Sequence, residues 1–386
     1  MATQLNNNLN FDYIIIGSGV AGFHIAMQMQ SDKFFENKSI AIFDKHTKNT
    51  NDKTLCYWEK GNGKWDNCVS NTWNTTYFKN KNNDLKIALA PYSYKKINAI
   101  DFYNYCKTTL QNSNSFSFFT EEIINVKETK SGVFITTNQN KTYKAKHVFD
   151  SRLEISIDTI KKEATYINQS FRGWVIKATK PVFDNATFTM MDYSHSWQNS
   201  TSFMYILPKS KTEALLEYTF FAPFTIDTND FDNQISTYIR KNFTGLKYEI
   251  TEIEEGQIPM TNYNFKKHHS SKITKIGTAG GWVKASTGYS FKFAEKNAIA
   301  IIKQLKSNKK PIGLNNCRRF AFYDKLLLKI LAYENNIGAN IFYKIYKHTH
   351  PKLLFSFLDE ETNIYQEIKL ISKLPYLPFI KAIFRK

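Results

Sequence analysis

The sequence predicts an α/β chain: a doubly wound, Rossmann-like dinucleotide-binding domain, interrupted by an antiparallel β-sheet domain and followed by a helical C-terminal region. Three observations predict it. A glycine turn separates a short apolar run from a helical stretch near residue 17. A second glycine-rich turn leads into a long helix near residue 277. Between them, residues 165–265 alternate short strands with turns. The expected divisions are 1–80, 81–165 and 266–310 for the nucleotide-binding domain, 166–265 for the β-rich substrate domain and 311–386 for the helical region.

The first element is the clearest. In "FDYIIIGSGVAGFHIAMQMQ" (11–30), Tyr13–Ile16 reads as a buried strand. Gly17, Gly19 and Gly22 follow as G-x-G-x-x-G, and Val20, Phe23 and Met27 then share one helical face. "SIAIFDK" (39–45) is a second strand ending at Asp44, 22 positions after Gly22. Strand, glycine turn, helix, strand and acid together form the dinucleotide fingerprint: the glycines let the backbone approach a pyrophosphate, and the acid accepts hydrogen bonds from a ribose.

Next, "TLCYWEKGNGKWDNC" (54–68) is rich in Trp and Gly and reads as a loop, and residues 97–113 as a helix. Residues 132–152 read as two strands around "NQNK" and a third, "HVFDSR". Four strands are expected within 165–265: "FRGWVIKA", "ATFTMMDY", "SFMYILP" and "ALLEYTFF". "ITKIGTAGGWVKASTGYSFKFAEKNAIAIIKQLK" (273–306) returns to strand, glycine turn and helix. There Gly277, Gly280 and Gly281 allow close backbone approach, and Thr287 and Gly288 lead into the helix start. "DEET" (359–362) reads as a solvated helix start rather than a metal cluster. Nucleotide-binding elements at both ends, with a β-rich insertion between, favour FAD over NAD as the tightly held cofactor.

Composition narrows the classes. Net charge is +18 and aromatic residues make up 15% of the 386, with 31 Phe and 22 Tyr. Positive charge attracts polyanions or anionic membranes, but it is dispersed, and no nucleic-acid module is present, so no nucleic-acid partner is expected. The four cysteines match no metal-ligand spacing, so no metal site is expected and the thiols read as reduced, in a cytosolic protein. No window approaches 18 apolar residues, so no transmembrane helix is expected.

The most informative single residue is Glu217, inside the otherwise apolar run "ALLEYTFF". By period two it shares a strand face with Leu215, Thr219 and Phe221. Three readings follow: a buried structural ion pair, a solvent-facing position on an edge strand, or a proton donor in a dry pocket, where desolvation keeps a carboxyl protonated. Asp192 in "MMDY" is a second acid on an expected strand. Asp150 and Arg152 either support a flavin site or form a structural salt bridge.

Several segments together resemble the lycopene cyclase family, the flavin-containing enzymes that close ionone rings on carotenoids. They are "YIIIGSGVAG", "TLCYWE", "VFDSR" (148–152), "NQSFRGWVIKA" (168–178), "FTMMDY", the strand pair "FMYILP…ALLEYTFF", "IPM" (258–260) and "IGTAGGWVKASTGYSF" (276–291). The chain departs from the family pattern at Leu55, where Trp is usual, at Ala285, where Pro is usual, and at Lys53, where Arg is usual. Related flavoproteins also often carry an Asp where this chain has Thr278.

The resemblance implies a β-cyclase acting on lycopene, with bound FAD reduced by NAD(P)H and no net redox change. It makes Glu217 the acid and Glu59 a second catalytic candidate, with Trp58, Trp174, Tyr205, Tyr218 and Phe220 lining the substrate site. It further implies a cytoplasmic protein, peripheral on the inner face of the cell membrane, where "KLPYLPFIKAIFRK" (373–386) meets lipid and other carotenoid-pathway enzymes are partners. An FAD-dependent monooxygenase or reductase acting on an isoprenoid or aromatic substrate is the alternative on the same fold.

Overall fold

The computed structural model describes residues 9–314 and 317–385. The amino-terminal part runs β1 (Leu9–Ile16), α1 (Val20–Gln30), β2 (Ile40–Asp44), β3 (Thr54–Lys60), β4 (Val69–Trp73), β5 (Thr75–Lys79), β6 (Asp84–Ala88), β7 (Tyr92–Asn98), α2 (Ala99–Gln111), β8 (Phe116–Thr120), β9 (Ile123–Thr129), β10 (Gly132–Thr137) and β11 (Thr142–Asp150). The middle runs α3 (Ile157–Glu163), β12 (Tyr166–Ala178), β13 (Thr187–Asp192), β14 (Ser202–Pro208), β15 (Glu213–Ala222), α4 (Thr228–Asn242) and β16 (Tyr248–Thr261). The last part runs β17 (Ile273–Lys275), α5 (Phe291–Lys306), α6 (Arg318–Tyr333), α7 (Gly338–His348), α8 (Pro351–Leu358), α9 (Ile364–Ile371) and α10 (Tyr376–Phe384).

The apolar run of β1 is buried on both faces, as a central parallel strand requires. Parallel pairing joins β8, β2, β1, β11 and β17, and β10 and β9 continue the sheet antiparallel. One face is covered by α1, α2 and α5, through Phe23, Met27, Phe102, Phe291 and Ile301. Burying each such side chain contributes about 1.5–3 kcal/mol. Phe291, Ala294, Ala298 and Ile301 recur at helical spacing, which is why α5 forms and which face it buries.

A second sheet has the order β16-β12-β15-β14-β13-β5-β6, so it recruits β5 and β6 from residues 75–88 as well as the strands expected after 165. It is antiparallel except for the β13–β5 pair. Helix α4 covers one face, burying Phe231, Ile235, Tyr238 and Ile239 against it. The other face looks toward the glycine turns and a small sheet, β3-β7-β4.

Three local expectations change. "TLCYWE" is not a loop but strand β3, because it finds a partner in β7 over its whole length. "HVFDSR" is not a separate strand: its first part continues β11 to Asp150. "DEET" links α8 to α9 instead of starting a helix, and its carboxylates are engaged. Asp359 accepts the Trp58 indole N–H at 2.9 Å, Glu360 pairs with Lys284 and Glu361 with Lys296. No helix of the described residues is long and apolar enough to cross a membrane.

Candidate active site

The glycine turn after β1 is built for close approach. Gly17 has φ +98°, and a Cβ there would lie 2.1 Å from Ser151 Oγ. A Cβ on Gly22 would lie 1.9 Å from the Gly17 carbonyl oxygen, so neither residue tolerates a side chain. Gly19, at the N-cap of α1, instead faces open space: a Cβ would meet nothing within 4 Å, and no side chain caps the helix. That leaves the first N–H groups of α1 free for an anion. Asp44, at the end of β2, accepts hydrogen bonds from the Ser18 backbone N–H at 2.8 Å and from its hydroxyl at 3.0 Å, which places it beside the turn.

The second glycine turn meets the first. Gly277 (φ +61°) sits against α1, where a Cβ would lie 3.1 Å from the Ala21 Cβ. Gly280 and Gly281 complete this turn, and Thr287 and Gly288 lie on the following segment, lining a cavity. A cradle of this kind, which side chains would fill, fits a dinucleotide cofactor laid between the two turns. Asp150 ends β11 nearby. It is held by the Arg152 guanidinium at 2.9 Å through both carboxylate oxygens and by Lys275 at 2.8 Å. Burial alone would raise its pKa, but the Arg152 hydrogen bonds and the charges of Lys275 and Arg152 outweigh burial and hold it below the usual range.

The cavity itself is about 390 Å³, enclosed between the second sheet, β3 and β7, and the segment 278–291. Glu217 opens into it. On β15 it pairs in register with Tyr205 of β14 on one side and Gly173 of β12 on the other. Glu217, Thr219 and Phe221 share the cavity face, as alternation on the strand requires. Among the described residues no cation forms an ion pair with Glu217. Its Oε1 accepts the Thr219 hydroxyl at 2.6 Å. Burial, and then the neighbouring Glu254 carboxyl, push its pKa well above the ordinary carboxylate range. Of the three readings of this residue, the buried salt bridge and the solvent-facing edge position are both absent: β15 lies inside the sheet.

Alternation also corrects part of the expected lining. Tyr205 lines the cavity, but Trp174, Tyr218 and Phe220 point to the opposite face, where α4 packs on them. Trp58 stands one layer back, against Tyr289 and Phe355. Glu59 points away from the cavity and is fixed by Lys95 at 3.0 Å and Lys292 at 2.8 Å, so it is no free acid near Glu217. Asp192 is likewise engaged on the α4 side, accepting the Tyr238 hydroxyl at 2.6 Å. Residues that line the cavity and were not singled out from sequence include Tyr94, Phe171, Phe203, Tyr289 and Glu254. Tyr94, Tyr205 and Tyr289 form a hydroxyl cluster, with contacts of 2.8 and 2.7 Å centred on Tyr94. They come from three distant segments, so only the fold brings them together.

A second cavity of about 350 Å³ shares Met191, Phe221, Thr287 and Tyr289 with the first and continues among α6 to α10. Its walls are almost wholly apolar, including Leu327, Ile345, Leu354, Phe357, Leu374 and Phe379. The Glu217 cavity therefore adjoins an apolar cavity among the C-terminal helices, with these four side chains between them.

The fold and its paired glycine turns define an FAD-type flavoprotein architecture. Solved structures of similar fold include a geranylgeranyl bacteriochlorophyll reductase-like protein from Thermoplasma acidophilum, with TM-score 0.63 and 10% identity over 97% of this chain and 98% of that one. A flavoprotein/dehydrogenase from Cytophaga hutchinsonii gives TM-score 0.62 and 10% identity over 97% and 99%. Halogenase PltM, solved with phloroglucinol and FAD, gives 0.58 and 10% over 91% and 82%. The chain belongs to the lycopene cyclase family: the family described as "Lycopene cyclase protein" matches residues 12–383. No curated protein matches the sequence.

Proposed function

We propose that this protein is a lycopene β-cyclase. It converts the acyclic ψ ends of lycopene to β-ionone rings, giving β-carotene by way of γ-carotene, with FAD kept reduced by NAD(P)H and no net redox change. The single observation that carries this reading is Glu217, a buried carboxyl with no cation beside it among the described residues, its pKa pushed well above the ordinary range by burial, in a cavity that adjoins both a flavin-type glycine cradle and a second, apolar cavity. An acid that protonates a hydrocarbon must keep its proton near neutral pH, and burial provides that.

Gly17, Gly19, Gly22 and Asp44 would hold the nucleotide part of FAD, and Gly277, Gly280, Gly281, Thr287 and Gly288 would lie against its ring system. Reduced FAD, when bound, supplies an electron-rich ring that stabilises a nearby carbocation. Glu217 delivers its proton to the terminal double bond of the substrate. Tyr205, Phe203, Phe221 and Tyr289 present aromatic faces to the resulting cation, each worth about 2 kcal/mol when desolvated. Their packing also excludes water, which would capture the cation as an alcohol.

Substrate reaches the site from a membrane surface in this reading. Helices α9 and α10 expose Ile364, Ile368, Leu377, Ile380, Ile383 and Phe384 near this apolar cavity. Lys369, Lys373 and Lys381 are exposed on the same helical segment. Apolar side chains flanked by lysines suit the lipid interface of the cytoplasmic leaflet. Buried Ala382 anchors α10 on α6, so the helix packs on the core and presents its other side outward. Removing 373–386 should abolish binding to anionic liposomes; unchanged sedimentation with them would defeat this part of the reading.

The principal test is expression in a lycopene-accumulating bacterium with pigment analysis. The wild type should form ringed pigments, and Glu217→Gln should lower ring formation by about 10²–10⁴-fold while still binding FAD. Persistent cyclisation by that variant would overturn the assignment of the acid. Consumption of NADPH and O₂ in step with product would favour the monooxygenase alternative.

A further inference from the structure

Glu217 is not alone. In the register of the second sheet, Gly173 of β12 pairs with Glu217 of β15 on one side and with Glu254 of β16 on the other. The two glutamates therefore flank a residue with no side chain, on the same face. A Cβ at 173 would lie 3.2 Å from the Glu217 Cβ and 3.4 Å from the Glu254 Cγ, so glycine is what leaves the gap open. Both side chains line the same cavity across that gap, and each carboxyl acts on the titration of the other. Two like charges facing each other across one strand in a buried cavity disfavour joint ionisation, which favours one proton held by the pair.

The surroundings decide which one. The Thr54 hydroxyl donates to Glu254 at 2.7 Å, and Lys96 of β7 adds a positive charge near it. The charged and titratable groups around the pair include Lys96, Glu252 on the same strand as Glu254, Cys56 of β3, Tyr205 beside Glu217 on β14, and Tyr94 and Tyr289 of the cavity wall. Glu217 likewise has a hydroxyl donor, Thr219, but among the described residues no cation near it matches Lys96. Burial raises both groups, but Lys96 together with Thr54 favours the charge on Glu254, and the neighbouring Glu254 carboxyl favours the proton on Glu217.

Resting on the reading of Glu217 as the proton donor, we infer that Glu254 is the second half of a proton-sharing pair and the base that takes up the proton released at the end of ring closure. The balance is complete within the pair. The Glu217 proton forms a C–H bond at the terminal olefinic carbon, leaving a tertiary cation. The electron pair of the neighbouring double bond forms the ring C–C bond and moves the positive charge into the ring. A C–H bond beside the cationic carbon then breaks; its electrons form the ring double bond and its proton goes to the Glu254 carboxylate. Transfer across the gap from Glu254 to Glu217 restores the starting state. No electron enters or leaves, as an isomerisation demands.

The test compares pH profiles of ring closure for the wild type, Glu217→Gln, Glu254→Gln and Glu254→Asp, with reduced FAD and lycopene in liposomes. The wild type should give a bell, its acid limb set by loss of the Glu254 carboxylate and its alkaline limb by loss of the Glu217 proton. Glu254→Gln should lower the rate by about 100-fold, abolish the acid limb and move the alkaline limb to lower pH, because the like charge is gone. Glu254→Asp should restore part of the rate and the bell. Thr54→Val keeps both carboxyls and guards against a folding defect: it should move the acid limb to higher pH. A Glu254→Gln variant with wild-type rate and both limbs, or an unmoved acid limb in Thr54→Val, overturns the pair while leaving an inactive Glu217→Gln, and hence the donor, intact. Wild-type activity in Glu217→Gln would instead sink the donor reading and the pair with it.

Discussion

Two buried carboxyls in the two large sheets of this molecule meet opposite fates. Asp150 ends a strand of the nucleotide-binding sheet and is 1% exposed; Glu217 lies inside the second sheet and is 8% exposed. Burial alone would push both toward the neutral form. Asp150 is met by Arg152 and Lys275 and stays charged. Glu217 meets a threonine hydroxyl, a second carboxyl and aromatic walls, and its pKa is pushed well above the ordinary carboxylate range. The difference teaches that depth does not set the chemistry of a buried acid. The partners supplied by neighbouring strands do.

The comparison breaks most sharply by removing charge at the first site. Asp150→Asn leaves Lys275 and Arg152 with only the exposed Glu154 as a shared partner and should cost about 3 kcal/mol of folding stability, read from a shift of the denaturant midpoint. The folded pKa of Asp150 is depressed, so its contribution is full above the unfolded value of about 3.9 and is lost as pH falls through the folded value. The variant should therefore lose its deficit relative to wild type only in strong acid.

The same chemical change at the second site should have the opposite sign and a smaller size. The folded pKa of Glu217 is raised, so between the unfolded value of about 4.3 and the folded value the native state holds more protons, and stability falls as pH rises through that window. Glu217→Gln should remove this slope and stabilise the protein at neutral pH by about 1 kcal/mol, while abolishing cyclisation. A destabilised Glu217→Gln at neutral pH would show that the carboxyl is paired and charged after all.

Much of the first region was legible in the sequence, because its signals are local. Gly17, Gly19, Gly22 and Asp44 lie within one strand–helix–strand unit, and their spacing alone implies the turn that the structure builds. Glu217 was legible as an acid among apolar neighbours, and period two placed Thr219 and Phe221 beside it. What period two could not say is which face is the cavity: a helix, α4, rather than solvent covers the other face, and Tyr218, Phe220 and Trp174 belong to it. Glu254 was hidden in "TEIEEGQ" (251–257), which lies outside the four strands expected from the sequence. Only the pairing of β15 and β16 on either side of Gly173 reveals it. Strand β3 was hidden for a related reason, since its partner β7 lies more than thirty residues on. Its glycines, at 61 and 63, follow the strand rather than interrupt it.

The central claim is that Glu217 holds a proton at neutral pH. Infrared spectroscopy of the wild type and Glu217→Gln tests it most directly. A protonated-carboxyl carbonyl band should be present in the wild type at pH 7 and missing from the variant. If the two spectra carry the same protonated-carboxyl signal, or neither carries one, the acid in the cavity is ionised and the account is contradicted.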